Sequence, residues 1–167
     1  MPNDAGTMAR EAGKEAAGDA GHLDLDRFLP YRLSILSNKV SDSIARLYSQ
    51  RFGLSVPEWR IMAVLGQMPG LSAGDVARRT AMDKVQVSRA VAALVGTRRV
   101  QRDGDESDGR VTRLSLTARG RANYDEIVPL ALHLEAVLLG ALSREERESL
   151  NRLLDKLARQ VDSLESV

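Results

Sequence analysis

Apolar residues recur at steps of three and four along most of this chain, and the interruptions mark its boundaries. From Asp26 to Phe52, the residues Leu29, Leu33, Leu36, Val40, Ile44 and Leu47 keep that spacing, which places them on one face of a long amphipathic helix. Phe28, Tyr31 and Ile35 add a second stripe near its start, wider than a single core contact needs, and a subunit interface explains the extra width. Gly53 ends this helix. Ser55 with Glu58 opens the next one, Pro57 is tolerated in its first turn, and Ile61, Val64, Leu65 and Met68 are expected to face inward. Further on, Thr117 caps a helix carrying Ile127, Val128, Leu130, Leu134, Val137, Leu138 and Leu142, with a bend expected at Pro129. Ser143 with Glu146 opens a last helix striped by Leu150, Leu153, Leu154, Leu157, Val161 and Leu164. The stripes at the two chain ends outsize any partner in the middle of the chain, so they are expected to pack on one another and on a symmetry mate.

Between these long helices the pattern shortens. Ser72 with Asp75 predicts a helix from Ala73 to about Thr80, and Asp83 with Gln86 repeats the capping signal. Only Ala81 and Met82 separate the two, which is the turn of a helix-turn-helix. In the second helix Val87, Val91 and Leu94 form the buried stripe, while Lys84, Gln86, Ser88 and Arg89 fall largely on the other side, near the end that enters a major groove in this motif. Arg89 has the fork that donates twice to guanine, and Gln86 has the donor and acceptor pair that suits adenine. Taken singly, each is equally an ordinary solvated helix residue. The segment after this helix changes that balance: Arg99 to Arg102 alternates, a polar DGDESDG tip intervenes, and Val111 to Leu116 alternates again, predicting a β-hairpin directly after the helix-turn-helix.

Charge supports the same region. Leu71 to Arg121 holds eleven basic side chains and six acidic ones, a net of +5, whereas the chain as a whole carries +1, which leaves the remainder at −4. Basic charge is concentrated where phosphates would be met.

At this point the chain resembles the multiple antibiotic resistance regulators, the MarR family. The resemblance rests on Asp108-x-Arg110, on Leu114-x-Leu116-Thr117-x-x-Gly120 and on the helix from Asp83 to Leu94, and it extends over roughly Phe28 to Leu164. It implies an obligate homodimer of winged-helix subunits, usually a repressor released by a small ligand. Two positions depart from the family pattern: Gly109 stands where a second basic wing residue is common, and Arg98 where a helix-ending glycine is common, with Gly96 as an earlier stop.

The resulting expectation is a mainly α fold, a winged helix-turn-helix with a small β-hairpin wing and a helical dimerisation domain built from both chain ends. Residues 1–22, rich in Ala, Gly and charge, are expected to be a flexible tail. Residues 23–54 form a dimerisation helix, 55–116 the DNA-binding domain and 117–167 the C-terminal dimerisation helices. Expected DNA-binding residues are Ser72, Arg79, Lys84, Gln86, Ser88, Arg89, Arg102, Asp108, Arg110 and Arg113, on a palindromic double-stranded operator. In the wing, Arg110 is expected to reach the minor groove with Asp108 holding it, unless Asp108 merely solvates a turn. The resemblance also implies a cleft for a small aromatic acid or thioester, lined here by Ser37, Ser41, Trp59, Arg60 and Met62, unless Trp59 is simply core at the domain junction.

Other chemistry finds little support. The absence of cysteine removes disulfides, thiolate metal sites and cysteine nucleophiles, and with them the thiol-based peroxide sensing of one branch of the family. The only histidines, His22 and His133, lack partners at zinc-ligand spacing. Asp103-x-Asp105-x-Ser107 starts like a calcium loop but continues with Asp108 and Leu114 where glycine and glutamate are needed. No phosphate loop and no nucleophile elbow is present. Hence neither a catalytic residue, a metal nor a cofactor is expected, and without a membrane-length apolar run or a signal core the protein is expected in the cytoplasm. Two classes remain, a sequence-specific DNA-binding regulator and a winged-helix module for protein partners.

Overall fold

The computed structural model describes residues 23–104 and 112–164. The helices are α1 (Leu29–Phe52), α2 (Val56–Gln67), α3 (Ala73–Thr80), α4 (Lys84–Gly96), α5 (Ala118–Leu139) and α6 (Arg144–Leu164), and the strands are β1 (Val100–Gly104) and β2 (Thr112–Leu116). By internal contacts the chain forms two units, 1–40 and 41–167. In the first, the apolar residues Leu25, Phe28, Leu29, Tyr31, Leu33, Ile35 and Leu36 are all exposed.

The second unit is built around one core. Tyr48, Phe52, Leu54, Ile61, Met62, Leu65, Val76, Val87, Val91 and Leu94 are buried there with Val100, Leu114 and Ile127. Helices α2 to α6 each begin where a short polar side chain satisfies the first backbone donors. Ser55–Glu58 and Ser72–Asp75 close reciprocal capping boxes. Asp83 accepts from the Gln86 N–H at 2.8 Å and Thr117 from the Gly120 N–H at 3.0 Å, while Glu146 and Ser143 bond each other's backbone. Gly53 ends α1 at φ 62°, as the pattern predicts. α5 continues through Pro129 without a break.

β1 and β2 pair antiparallel, with Val100 opposite Leu116 and Gly104 opposite Thr112. Leu71 adds a bridge to Leu114, its carbonyl accepting from the Leu114 N–H at 2.9 Å, which ties the start of the helix-turn-helix to the hairpin.

Two expectations need correction. Met68 is not part of the inward stripe, being 36% exposed; it sits past the last turn of α2 at φ −133°, where helical periodicity no longer aims it inward, and Met62 fills the core instead. Gly96 is the last residue of α4, but it is not the residue that turns the chain out of the helix. Arg98 itself takes the left-handed conformation at φ 57°, so that its N–H reaches the Val95 carbonyl at 2.9 Å and the Arg99 N–H reaches that of Leu94 at 2.8 Å, a Schellman ending without glycine. An L side chain is disfavoured there by roughly 1–2 kcal/mol, part of which glycine returns through a floppier unfolded chain. Arg98→Gly is therefore expected to raise stability by about 0.5–1 kcal/mol, read in a denaturant titration with unchanged slope.

Candidate nucleic-acid interface

The two short helices present their polar faces because their apolar ones are spent on the core. In α4 the buried residues are Val87, Ala90, Val91 and Leu94, which leaves Lys84, Gln86, Ser88 and Arg89 exposed. The Asp83 carboxylate is consumed by the cap, while the Gln86 carboxamide makes no return bond to it and stays available. Lys84, Ser88 and Arg102 meet around an open groove of about 360 Å³ between α4, the start of α3 and the hairpin, floored by Val87, Val91 and Leu114. Arg79 stands exposed at the end of α3, beside Gln67 and Met68.

Ser72 caps α3, as its spacing to Asp75 predicts. Its hydroxyl donates to Asp75 Oδ2 at 2.6 Å and accepts from the Asp75 N–H at 3.1 Å, so it holds the start of α3. These bonds keep the Asp75 carboxyl below its usual pKa. Asp108 and Arg110 lie outside the described residues.

The basic surface is smaller than the count of eleven suggests. Arg99 is only 7% exposed: its Nε donates to Asn123 Oδ1 at 2.9 Å and its Nη2 to the Phe52 carbonyl. Burial lowers its pKa, with Arg119 adding to the effect. Arg121 donates to the Gly66 carbonyl at 3.1 Å, and the half-buried Arg113 reaches the Gly70 carbonyl at 3.4 Å. The Phe52 and Gly66 carbonyls lie in the last turns of α1 and α2, which have no helical donor of their own. These three arginines thus brace the fold. Arg78 is paired with Asp75. Lys84, Arg89 and Arg102 remain as exposed cations around α4.

The residues assigned to a ligand are only partly brought together. Arg60 Nη2 donates to Ser41 Oγ at 3.2 Å, and Trp59 lies between two rings, 5.6 Å from Tyr48 and 6.0 Å from Tyr124. Burial pushes the Tyr48 phenol up to about 12, with Asp42 adding to the rise and Arg60 opposing it, so it stays neutral. Met62 is fully buried in the core and offers no surface to a ligand; it sits next to buried Ile61 on a helix packed on two sides. Ser37 is exposed in the first unit.

Sequence reasoning missed the two tyrosines, the buried arginine and the close approaches at two glycines. A Cβ on Gly66 would come within 2.3 Å of the Tyr124 ring, and one on Gly120 within 1.9 Å of the Arg99 carbonyl oxygen. A glycine inside a helical pattern is the available signal for the first.

An exposed polar helix in a helix-turn-helix, flanked by a β-hairpin and basic side chains, defines a winged-helix DNA-binding protein. Residues 52–111 match the MarR family. The chain is 30% identical over 131 residues to the HTH-type transcriptional repressor Rv2887 of Mycobacterium tuberculosis, covering 78% of this chain and 91% of that one. A MarR/EmrR family transcriptional regulator from Acinetobacter sp. ADP1 superposes with a TM-score of 0.78 at 30% identity, over 84% of this chain and 99% of the other. Bordetella bronchiseptica BpsR, whose DNA binding is regulated by 6-hydroxynicotinic acid, superposes at 0.73 with 22% identity, over 83% and 98%. This protein belongs to the MarR family and is a DNA-binding transcriptional regulator of the repressor type. No single helix among the described residues is long and apolar enough to cross a membrane, and no cluster of three or more His, Asp or Glu there could hold a metal ion.

Proposed function

We propose that the protein represses transcription in the cytoplasm as a homodimer on a palindromic operator, with residues 55–116 reading DNA and the chain ends, 23–54 and 117–167, holding the two copies together. The observation that carries this reading is the face of α4: its cap is satisfied internally while Lys84, Gln86, Ser88 and Arg89 stand free in its first two turns. Dimerisation is supported by the apolar residues left exposed near both ends, including Leu29 and Leu36 in α1 and Leu150, Leu153 and Leu157 in α6. A two-fold pair would set two reading helices about one DNA turn apart, ~10 bp centre to centre.

The test combines sedimentation at micromolar concentration with titration of a duplex selected by the protein from random-sequence DNA. A dimer on a palindrome is expected. Arg89→Ala should weaken that duplex by roughly 1–3 kcal/mol and relax one base position per half-site. Lys84→Ala should weaken all duplexes alike and flatten the salt dependence. Failure to select any sequence, with a partner protein retained instead, would favour the protein-interaction reading.

Repression is relieved by a small aromatic acid or its thioester at Trp59, Arg60 and Ser41. The pair Arg60–Ser41 places a guanidinium and a hydroxyl near an aromatic wall, a set that suits a carboxylate on a ring. The ligand must prefer the dimer whose reading helices miss the operator spacing, by about 1.4 kcal/mol for a tenfold effect. Aromatic carboxylates such as 6-hydroxynicotinate, the regulator of the BpsR neighbour, are expected to quench Trp59, the sole tryptophan, and to lower operator affinity together. A panel that left both signals unchanged would reject this control.

A further inference from the structure

Val85 is the one large apolar residue of α4 that the fold leaves in water, 59% exposed in the first turn of the reading helix. Its place is set by helical geometry. It precedes buried Val87 by two residues, a rotation of roughly 200° at about 100° per residue, so it stands nearly opposite the core-facing stripe. It precedes Arg89 by four residues and shares that side chain's face, one turn closer to the helix start. Its sequence neighbours Lys84 and Gln86 are both exposed. A β-branched side chain is also a poorer helix former than alanine at such a position, so neither burial nor helix propensity accounts for valine here.

The major groove offers a branched apolar side chain one apolar group that projects from the base edge, the C5-methyl group of thymine; the N7, O6, N6, N4 and O4 groups beside it are hydrogen-bond donors or acceptors. Reading-helix side chains near the N-terminus are those that reach base edges. We infer that Val85 is a specificity-determining residue of the operator complex, packing its methyl groups against a thymine methyl in each half-site. This rests on the reading of α4 as the DNA-reading helix. It adds what the polar residues lack: Arg89 and Gln86 are suited to guanine and adenine, and Val85 supplies a contact for thymine. Covering both methyl groups removes apolar surface from water, and a contact worth about one buried methylene corresponds to about a fourfold change in affinity.

The test uses the full chain and a duplex that it selects from random-sequence DNA. A series of that duplex is prepared in which deoxyuridine replaces one thymine per half-site in turn, which deletes the methyl and leaves base pairing unchanged. Wild-type protein is expected to lose about fourfold in affinity per half-site at one thymine position and little at the others. Val85→Ala, which favours the helix and so retains the fold, is expected to bind the thymine duplex more weakly and to be indifferent to deoxyuridine at that position. Indifference of the wild-type protein to every replacement would overturn the inference while leaving DNA reading by α4 intact. Undiminished sensitivity in Val85→Ala would also overturn it, since another residue would then meet the methyl. If no duplex is selected at all, it is the reading of α4 that fails.

Discussion

Gly120→Ala is expected to destabilise the protein by about 3 kcal/mol, at the upper end of ordinary overpacking. The added Cβ would lie 1.9 Å from the Arg99 carbonyl oxygen and 2.9 Å from its carbon, so backbone has to move. That carbonyl also accepts from the Thr117 N–H at 3.0 Å, while the Thr117 hydroxyl, which caps α5, donates to the Arg98 carbonyl at 2.7 Å. Moving it disturbs the start of α5 and the turn out of α4 together. In a chain of this size the loss should lower the melting temperature by roughly 6–12 °C in a calorimetric scan. Two other glycines provide controls. Gly104 and Gly96 have nothing within 4 Å of the added atom. Gly104→Ala should be near neutral, and Gly96→Ala, inside α4, should stabilise by about 0.5–1 kcal/mol. A mild effect of Gly120→Ala would mean that the Arg99 carbonyl yields more easily than the packing indicates.

Arg99→Met should cost about 2–4 kcal/mol, because it strips the donors from two buried or half-buried acceptors, the Phe52 carbonyl and Asn123 Oδ1, each worth about 1–3 kcal/mol when left unpaired. Adding Asn123→Leu removes one of those orphans, so the double variant should recover part of the loss, a coupling visible in a double-mutant cycle. DNA binding offers a separate readout. Arg99 joins the end of α1 to α5 and its own N–H closes the end of α4, so it positions the reading helix without facing solvent. Measured on the folded fraction, Arg99→Met should weaken the selected duplex yet leave the slope of log affinity against log salt unchanged. Lys84→Ala should instead reduce that slope by about 0.9 per subunit, about 1.8 for a dimer on its operator. A reduced slope for Arg99→Met would show that this arginine meets phosphate after all.

These two positions also mark the limit of what the chain reveals before it folds. Gly120 stands in the Thr117-x-x-Gly120 signature, yet only the packed structure shows a carbonyl from twenty-one residues earlier occupying the space of its missing side chain. Arg99 precedes an inward Val100, so alternation along the strand places it outward and counts it with the surface charge. The bend of the chain at left-handed Arg98 turns it inward instead. Met68 suits an apolar helix face but is left exposed because α2 ends before it, and Met62, expected at a ligand cleft, is buried in the core.

What the amino-acid sequence determined by itself was the set of local features. Caps at Ser55, Ser72, Asp83, Thr117 and Ser143, the stop at Gly53, the short turn at Ala81 and Met82, and the hairpin partners all depend on groups a few residues apart or on a simple period. The polar face of α4 was legible for the same reason, since spacing alone sorts Arg89 from Val91. Tertiary structure decided what depends on partners distant in sequence. Three arginines became braces for the carbonyls of Phe52, Gly66 and Gly70, Trp59 was set between Tyr48 and Tyr124, and Val85 was left as an apolar side chain on an otherwise polar reading face. Charge and hydropathy belong to a residue, but burial belongs to the space that other segments fill around it.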